Sequence, residues 1–184
     1  MGLRDTPFPE FITTFEHSFM TKRFATLKDA FEESAKAFGL EPSIPMIESL
    51  IGMWNKNTLL AKLYPESTDV LLRLKEKGVK IGLVSNTDSF SVTAVLEKYK
   101  LPELFDHINL SCDAGMLKSD PEMFATSLKA LGVSKDDAVM VGDSMESDIL
   151  GAQAAGIRAI LIDRRNRREY EDKILNLAEL ERMA

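Results

Sequence analysis

From Pro65 onward the chain alternates short apolar runs with stretches of helical period, and this alternation restricts the possible folds more than any other feature. The runs are "KIGLVS" (80–85), "HINLS" (107–111), "AVMVG" (138–142) and "RAILID" (158–163). Helical spacing marks the segments around them: 65–77, 89–99, 121–131 and 147–155. Strand and helix in turn, with glycines at helix ends, predict a parallel α/β sheet of Rossmann-like build. In such sheets ligands gather at the carboxyl ends of the strands, so function is sought in the residues that follow each run. The last segment, Arg168 to Met183, reads as a charged helix capping the sheet.

The first part of the chain is different. Phe11, Phe15 and Phe19 recur every fourth residue, then Leu27, Phe31, Ala35 and Phe38, then Ile47, Leu50, Ile51 and Trp54, a pattern of helices only. Gly39, Pro42 and Pro45 break it. The expected division is therefore a helical part over 1–64 and an α/β core over 65–184. The Phe and Met residues of the first part, including Met46 and Met53, are expected in its core at this spacing. A chain of 184 residues, 45% hydrophobic, can bury such a core. A net charge of -6 gives no basic surface for nucleic acid, and the cluster Arg164 to Arg168 reads as a solvated connection. Cys112 is the only cysteine, which excludes an intrachain disulfide. Neither a signal-peptide pattern nor a membrane-length apolar run is present, so a cytoplasmic protein with a small-molecule partner is expected.

The strand ends carry the polar chemistry. "GLVSNTD" finishes with Ser85, Asn86, Thr87 and Asp88; "AVMVGDS" finishes with Asp143 and Ser144, with Asp148 about one helical turn on; Lys118 stands just before the helix that Pro121 opens. Hydroxyl and backbone N–H groups suit phosphate oxygens, and a lysine neutralises added negative charge. Two aspartates suit a hard divalent cation. Each residue also has a plainer reading. Asp143 can simply end a strand, Asp148 can be a helix acid favoured by the macrodipole, and Ser85 and Asn86 can cap a helix. Asp120 is expected to cap the helix begun by Pro121. The two histidines, His17 and His107, are too far apart in the chain to suggest a metal site.

In this order the motifs resemble the haloacid dehalogenase superfamily, phosphoglycolate phosphatases among them, from about Tyr64 to Asp163, and the helical first part is similar to that superfamily's cap. The resemblance implies that Ser85 in "LVSNT" holds the transferring phosphoryl group with Asn86 beside it, and that Lys118 in "GMLKSDPEMF" steadies the nucleophile and the phosphate. Ser119 stands where proline is usual. Asp143 and Asp148 in "VGDSMESDILGAQAAG" match the motif whose first acid binds Mg²⁺ and whose second supports the metal shell or the lysine. The implied reaction is Mg²⁺-dependent hydrolysis of a small phosphorylated metabolite through an aspartyl-phosphate.

One motif of that family is missing. The apolar strand ending in Asp-x-Asp, source of the nucleophile and the general acid, has no counterpart here. Asp5 in "GLRDTPFP" has no strand before it and is expected to be a surface turn residue. In the implied fold that strand lies between "KIGLVS" and "AVMVG". Each buried unpaired backbone group costs about 1–3 kcal/mol, against a domain stability of roughly 5–15 kcal/mol, so an empty slot is not expected to persist. The strand is expected from an upstream segment, from a second chain, or not at all if the flanking strands pair directly. Without the nucleophile the isolated chain is expected to be inactive. Two other classes remain: a non-catalytic module that binds phosphate or a partner, and a 2-haloacid dehalogenase, against which the Gly-Asp-x-x-x-x-Asp pattern argues because dehalogenation needs no Mg²⁺.

Overall fold

The computed structural model describes residues 6–182, so Asp5 and Met183 lie outside the described residues. The chain forms two units. One takes the residues up to Lys62 together with Ser85–Lys98 and Leu110–Leu117; the other takes Leu63–Val84, Tyr99–Asn109 and the residues from Lys118 on.

In the first unit the helical period of the sequence becomes three helices, α1 (Phe8–Met20), α2 (Leu27–Ala37) and α3 (Ile44–Leu60). Pro42, at the break, precedes α3, and α2 begins with a capping box in which Thr26 Oγ1 accepts from the Asp29 N–H at 3.1 Å while Asp29 accepts from the Thr26 N–H at 3.0 Å. Phe19, Ala30, Phe31 and Ile47 are buried where the three helices meet, with Phe15, Leu27 and Trp54 packed against them. The rings of Phe19 and Phe31 lie 4.8 Å apart and those of Phe19 and Trp54 4.9 Å apart. Burying a side chain of this size contributes about 1.5–3 kcal/mol. Met53, expected in this core, is exposed. The same unit holds α5 (Ser89–Lys98) and the short α6 (Ser111–Ala114), where Cys112 is buried and its thiol pushed up to about 11, chiefly by that burial.

The second unit carries the strands. Helix α4 (Ser67–Glu76) leads into β1 (Gly82–Ser85), whose last residue is counted with the other unit; β1 pairs with β2 (His107–Leu110), which ends the same way. Helix α7 (Pro121–Leu131) follows, then β3 (Val139–Gly142), a π-helical turn (Met145–Leu150), α8 (Gly151–Ala154), β4 (Arg158–Ile162) and β5 (Lys173–Ile174). Pro121 opens α7 and Asp120 caps it, accepting from the Glu122 N–H at 3.0 Å. Strands β3, β4 and β5 form one parallel sheet, with Val141 opposite Ile160 and Ile162 opposite Ile174. Phe124, Ile149, Ala152, Ala159 and Leu161 make its core. The protein is thus a mixed α/β fold with parallel strands, as the alternating pattern requires.

Two elements differ from the sequence expectation. The final charged helix does not form: Ile174 is buried as the second residue of β5, and Leu177–Arg182 is a 3₁₀ turn. Ile174 is paired in the β4–β5 ladder and Leu177 packs against Val70, Leu74 and Ile81, so tertiary partners decide this segment over its helical pattern. The helix expected from Ser147 instead starts at Met145 and is wound as a π turn as far as Leu150.

The strands around the missing one are informative. Among the described residues β1 pairs only with β2, and β3 only with β4; the two do not pair with each other. No residue of β1 or β3 is fully buried, whereas Ala159, Ile160 and Leu161 of β4 all are. Val84 of β1 nevertheless packs against the core beneath β3 and β4. Sequences apolar enough for a sheet interior therefore stand as edges.

Candidate active site

At the end of β3 the chain turns sharply at Gly142, and the turn is built around Asp148. Asp148 is 3% exposed. Its Oδ1 accepts from Lys118 Nζ at 2.5 Å and its Oδ2 from the Ser144 N–H at 3.0 Å. Both carboxylate oxygens are occupied, and the Ser144 carbonyl accepts from the N–H groups of Asp148 and Ile149, each at 3.1 Å. The second of these bonds spans five residues, which is what widens the helix into a π turn. Ser144 also caps the turn, its Oγ accepting from the Ser147 N–H at 3.1 Å.

Two glycines make this possible. A Cβ at Gly142 would collide with the Asp148 carboxylate, and a Cβ at Gly151 would collide with the Lys118 carbonyl and press on Phe124. Neither has a positive φ, so their role is close approach and not backbone freedom. Lys118 and Asp148 are thus held in contact from both sides, with side chains only 12% and 4% exposed.

Asp143 is exposed, and its carboxylate makes no hydrogen bond or ion pair among the described residues. Its main chain is held instead: the Asp143 carbonyl accepts from Arg168 Nη1 at 2.5 Å. Register explains the meeting. Gly142 lies opposite Leu161, so Asp143 and Asp163 leave parallel strands at one edge of the sheet. Asp163 is buried and its Oδ2 accepts from the N–H groups of Arg167 and Arg168, each at 2.6 Å; these donors, that of Arg168 foremost, hold its carboxyl below the usual carboxylate range.

Ser85 and Asn86 fall in the other unit. Ser85 is half-buried and its hydroxyl makes no hydrogen bond among the described residues. Neither caps α5. That role belongs to Asp88, 3% exposed, whose Oδ1 accepts from the N–H groups of Phe90 at 2.8 Å and Ser91 at 2.9 Å. Its Oδ2 accepts from Ser91 Oγ at 2.5 Å and from the Trp54 indole at 3.2 Å. The loop is fixed again at Thr87, whose N–H donates to Ser111 Oγ at 2.9 Å while the Ser111 hydroxyl donates to its carbonyl at 3.2 Å. A cavity of about 320 Å³ in this unit is lined by Met20, Trp54, Asn57, Thr87 and Val95 among others.

The structure therefore brings Lys118, Asp148 and the Asp143 backbone into one network. The sequence placed Asp88 at a strand end without its capping role and took Arg168 for part of a solvated connection, whereas its guanidinium holds the Asp143 carbonyl; Ser111, Gly142 and Gly151 were given no role. Only Asp88 gave a local signal, an acid directly before a helix.

The donors fit Mg²⁺ in part. Among the described residues no three His, Cys, Asp or Glu side chains are gathered to hold a metal. Asp143 offers one free hard oxygen donor, and Mg²⁺ is commonly held by one or two carboxylates together with waters and phosphate. Asp148, committed to Lys118 and Ser144, orients the site without offering a free oxygen.

A parallel sheet with a buried Lys–Asp pair and a free aspartate at its strand ends defines the class, and the comparisons give the family. A model described as haloacid dehalogenase-like hydrolase matches residues 6–156, and the chain belongs to that family. It is 31% identical over 126 residues to the glyceraldehyde 3-phosphate phosphatase of Methanothermobacter thermautotrophicus, 68% of this chain and 56% of that protein. It is 35% identical over 99 residues to phosphoglycolate phosphatase 1 of Pseudomonas aeruginosa, 54% of this chain and 36% of that protein. Among solved structures, a HAD phosphatase from Thermococcus onnurineus superposes with a TM-score of 0.67 at 25% identity, over 95% of this chain and 78% of that one. The chain spans about half the length of the curated relatives it matches.

Proposed function

We propose that the chain is the larger part of a Mg²⁺-dependent phosphatase for a small phosphorylated metabolite, and that an added strand carrying the nucleophilic aspartate completes it. The observation that carries this reading is the Lys118–Asp148 pair beside the Asp143 carboxylate, which has no partner among the described residues, at the end of a strand whose other edge is likewise unpaired among them. The relatives support the substrate class by their names.

In this reading Lys118 lies next to the phosphoryl group, its charge held in place by Asp148, and steadies negative charge as it builds on the equatorial oxygens. Asp143 supplies one oxygen to the cation. Bound there, Mg²⁺ would offset the repulsion between carboxylates and phosphate, which at an effective dielectric of 20 is about 4 kcal/mol for one pair at 4 Å. By the family resemblance Ser85, whose hydroxyl makes no hydrogen bond among the described residues, and Asn86 are proposed as phosphate donors. The added strand seats on the β1 and β3 edges, and comes from sequence outside this chain or from a second polypeptide.

The test is phosphate release from glyceraldehyde 3-phosphate and 2-phosphoglycolate with Mg²⁺ present, for the chain alone and with a synthetic apolar strand ending in Asp-x-Asp. The chain alone is expected to be inactive and the mixture active; K118A and D143N should abolish the gain. Turnover by the chain alone would refute the added nucleophile. Release that survives a chelator would refute the Mg²⁺ role. A second reading, a phosphate-binding module without catalysis, takes the lack of an Asp-x-Asp strand among the described residues at face value, and is supported if calorimetry finds phosphate binding in a mixture that never turns over.

A further inference from the structure

We propose that Arg168 is a positioning residue that aims the Asp143 carboxylate, an inference resting on the reading of Asp143 as the cation ligand. The peptide unit after Asp143 is gripped at both ends: its carbonyl accepts from Arg168 Nη1 at 2.5 Å, and its N–H, that of Ser144, donates to Asp148 Oδ2 at 3.0 Å. Fixing that plane fixes the torsion on the carbonyl side of the Asp143 Cα. The Asp143 side chain has no partner of its own among the described residues, so this backbone grip fixes the peptide plane from which its carboxylate departs.

Arg168 is itself anchored. Its N–H donates to Asp163 at 2.6 Å and its carbonyl accepts from Lys173 Nζ at 2.6 Å. Asn166 turns the loop with a φ of +50°, and its side-chain oxygen accepts from Lys173 at 2.8 Å. The guanidinium therefore reaches across from a braced turn after β4 to the loop after β3. Asp148 joins the same network to Lys118, so the chain Arg168, Asp143–Ser144 peptide, Asp148, Lys118 ties the cation ligand to the lysine. Groups that orient a metal ligand in this way typically carry about 10–100-fold of metal affinity.

Two measurements on the chain test this: hydrogen exchange of the segment 143–147, and Mn²⁺ binding followed by electron paramagnetic resonance, Mn²⁺ sharing the oxygen preference of Mg²⁺. The variants are R168A, R168K, D143N and R165A, the last removing an exposed arginine of the same turn whose side chain makes no hydrogen bond to the loop among the described residues. R168A is expected to speed exchange roughly three- to tenfold, the weight of one exposed hydrogen bond, and to weaken Mn²⁺ about tenfold. R168K should fall between, and R165A should match wild type. Unchanged exchange in R168A, or equal effects in R165A, would overturn the inference. So would faster exchange with wild-type Mn²⁺ affinity while D143N loses it. If D143N and wild type bind Mn²⁺ equally, the cation reading itself falls, and the positioning role with it.

Discussion

Lys118 and Asp148 form the tightest charge pair of the second unit, and burial makes it costly to break. A surface ion pair contributes about 0–1 kcal/mol, but a buried charge stripped of its partner costs about 3–5 kcal/mol. K118M, which leaves the Asp148 charge with only the Ser144 N–H as partner, should therefore lower stability by about 3 kcal/mol. K118M/D148N should cost clearly less than the two single changes summed, a coupling of about 0.5–3 kcal/mol, read from denaturant unfolding; strict additivity would show that the pair does not interact. G151A tests the same contact through the backbone. The added methyl meets the Lys118 carbonyl, so a loss of about 1–3 kcal/mol is expected, and a stabilised G151A would contradict the close approach. At this scale the sequence revealed the acids and the lysine because their chemistry is written in their side chains. It did not reveal Gly142, Gly151 or Arg168, since each acts on a backbone atom that register alone brings near.

Among elements, legibility followed how many residues carried the signal. Helices α1 to α3 were readable because their apolar faces recur over several turns and meet in one aromatic core. Strands β1 to β4 were readable as apolar runs, and α7 by its Asp-Pro start and Gly132 end. Strand β5 was not, because two paired residues leave no periodicity, and the π turn was not, because its width comes from Asp148 being drawn back to Ser144 and Lys118. Helix α5 offers a prediction of its own. Asp88 caps it and also receives the indole of Trp54 from α3, the chain's one tryptophan. D88A should cost about 1–2 kcal/mol as a lost cap and shift Trp54 emission in the folded protein. Unfolding followed by that emission measures both, and an unchanged spectrum would mean that the indole has no such partner in solution.

For the whole molecule, acid is the sensitive direction. Glu66, Asp106, Asp163, Asp172 and Glu181 of the second unit and Glu33 of the first are all held below the usual carboxylate range. The donors differ: Arg164, Arg158, Arg73 and Lys22 hold Glu66, Asp172, Glu181 and Glu33, while the N–H groups of Ile81 and Arg168 lead for Asp106 and Asp163. A carboxyl with a lower pKa folded than unfolded binds its proton more readily in the unfolded chain. Its contribution is complete above the unfolded value, about pH 4, and is lost as pH falls through the folded one. The thermal midpoint should thus be nearly flat from pH 7 to pH 5 and fall below about pH 4. Salt separates the two groups, because it screens exposed ion pairs far more than short hydrogen bonds from backbone donors. At about 0.5 M NaCl, well past the ionic strength where exposed pairs are screened, the acid fall should shrink but persist, carried by Asp106 and Asp163. A fall that vanishes in salt would assign the whole effect to surface pairs, and the turn that braces Arg168 would then be weaker than its hydrogen bonds imply.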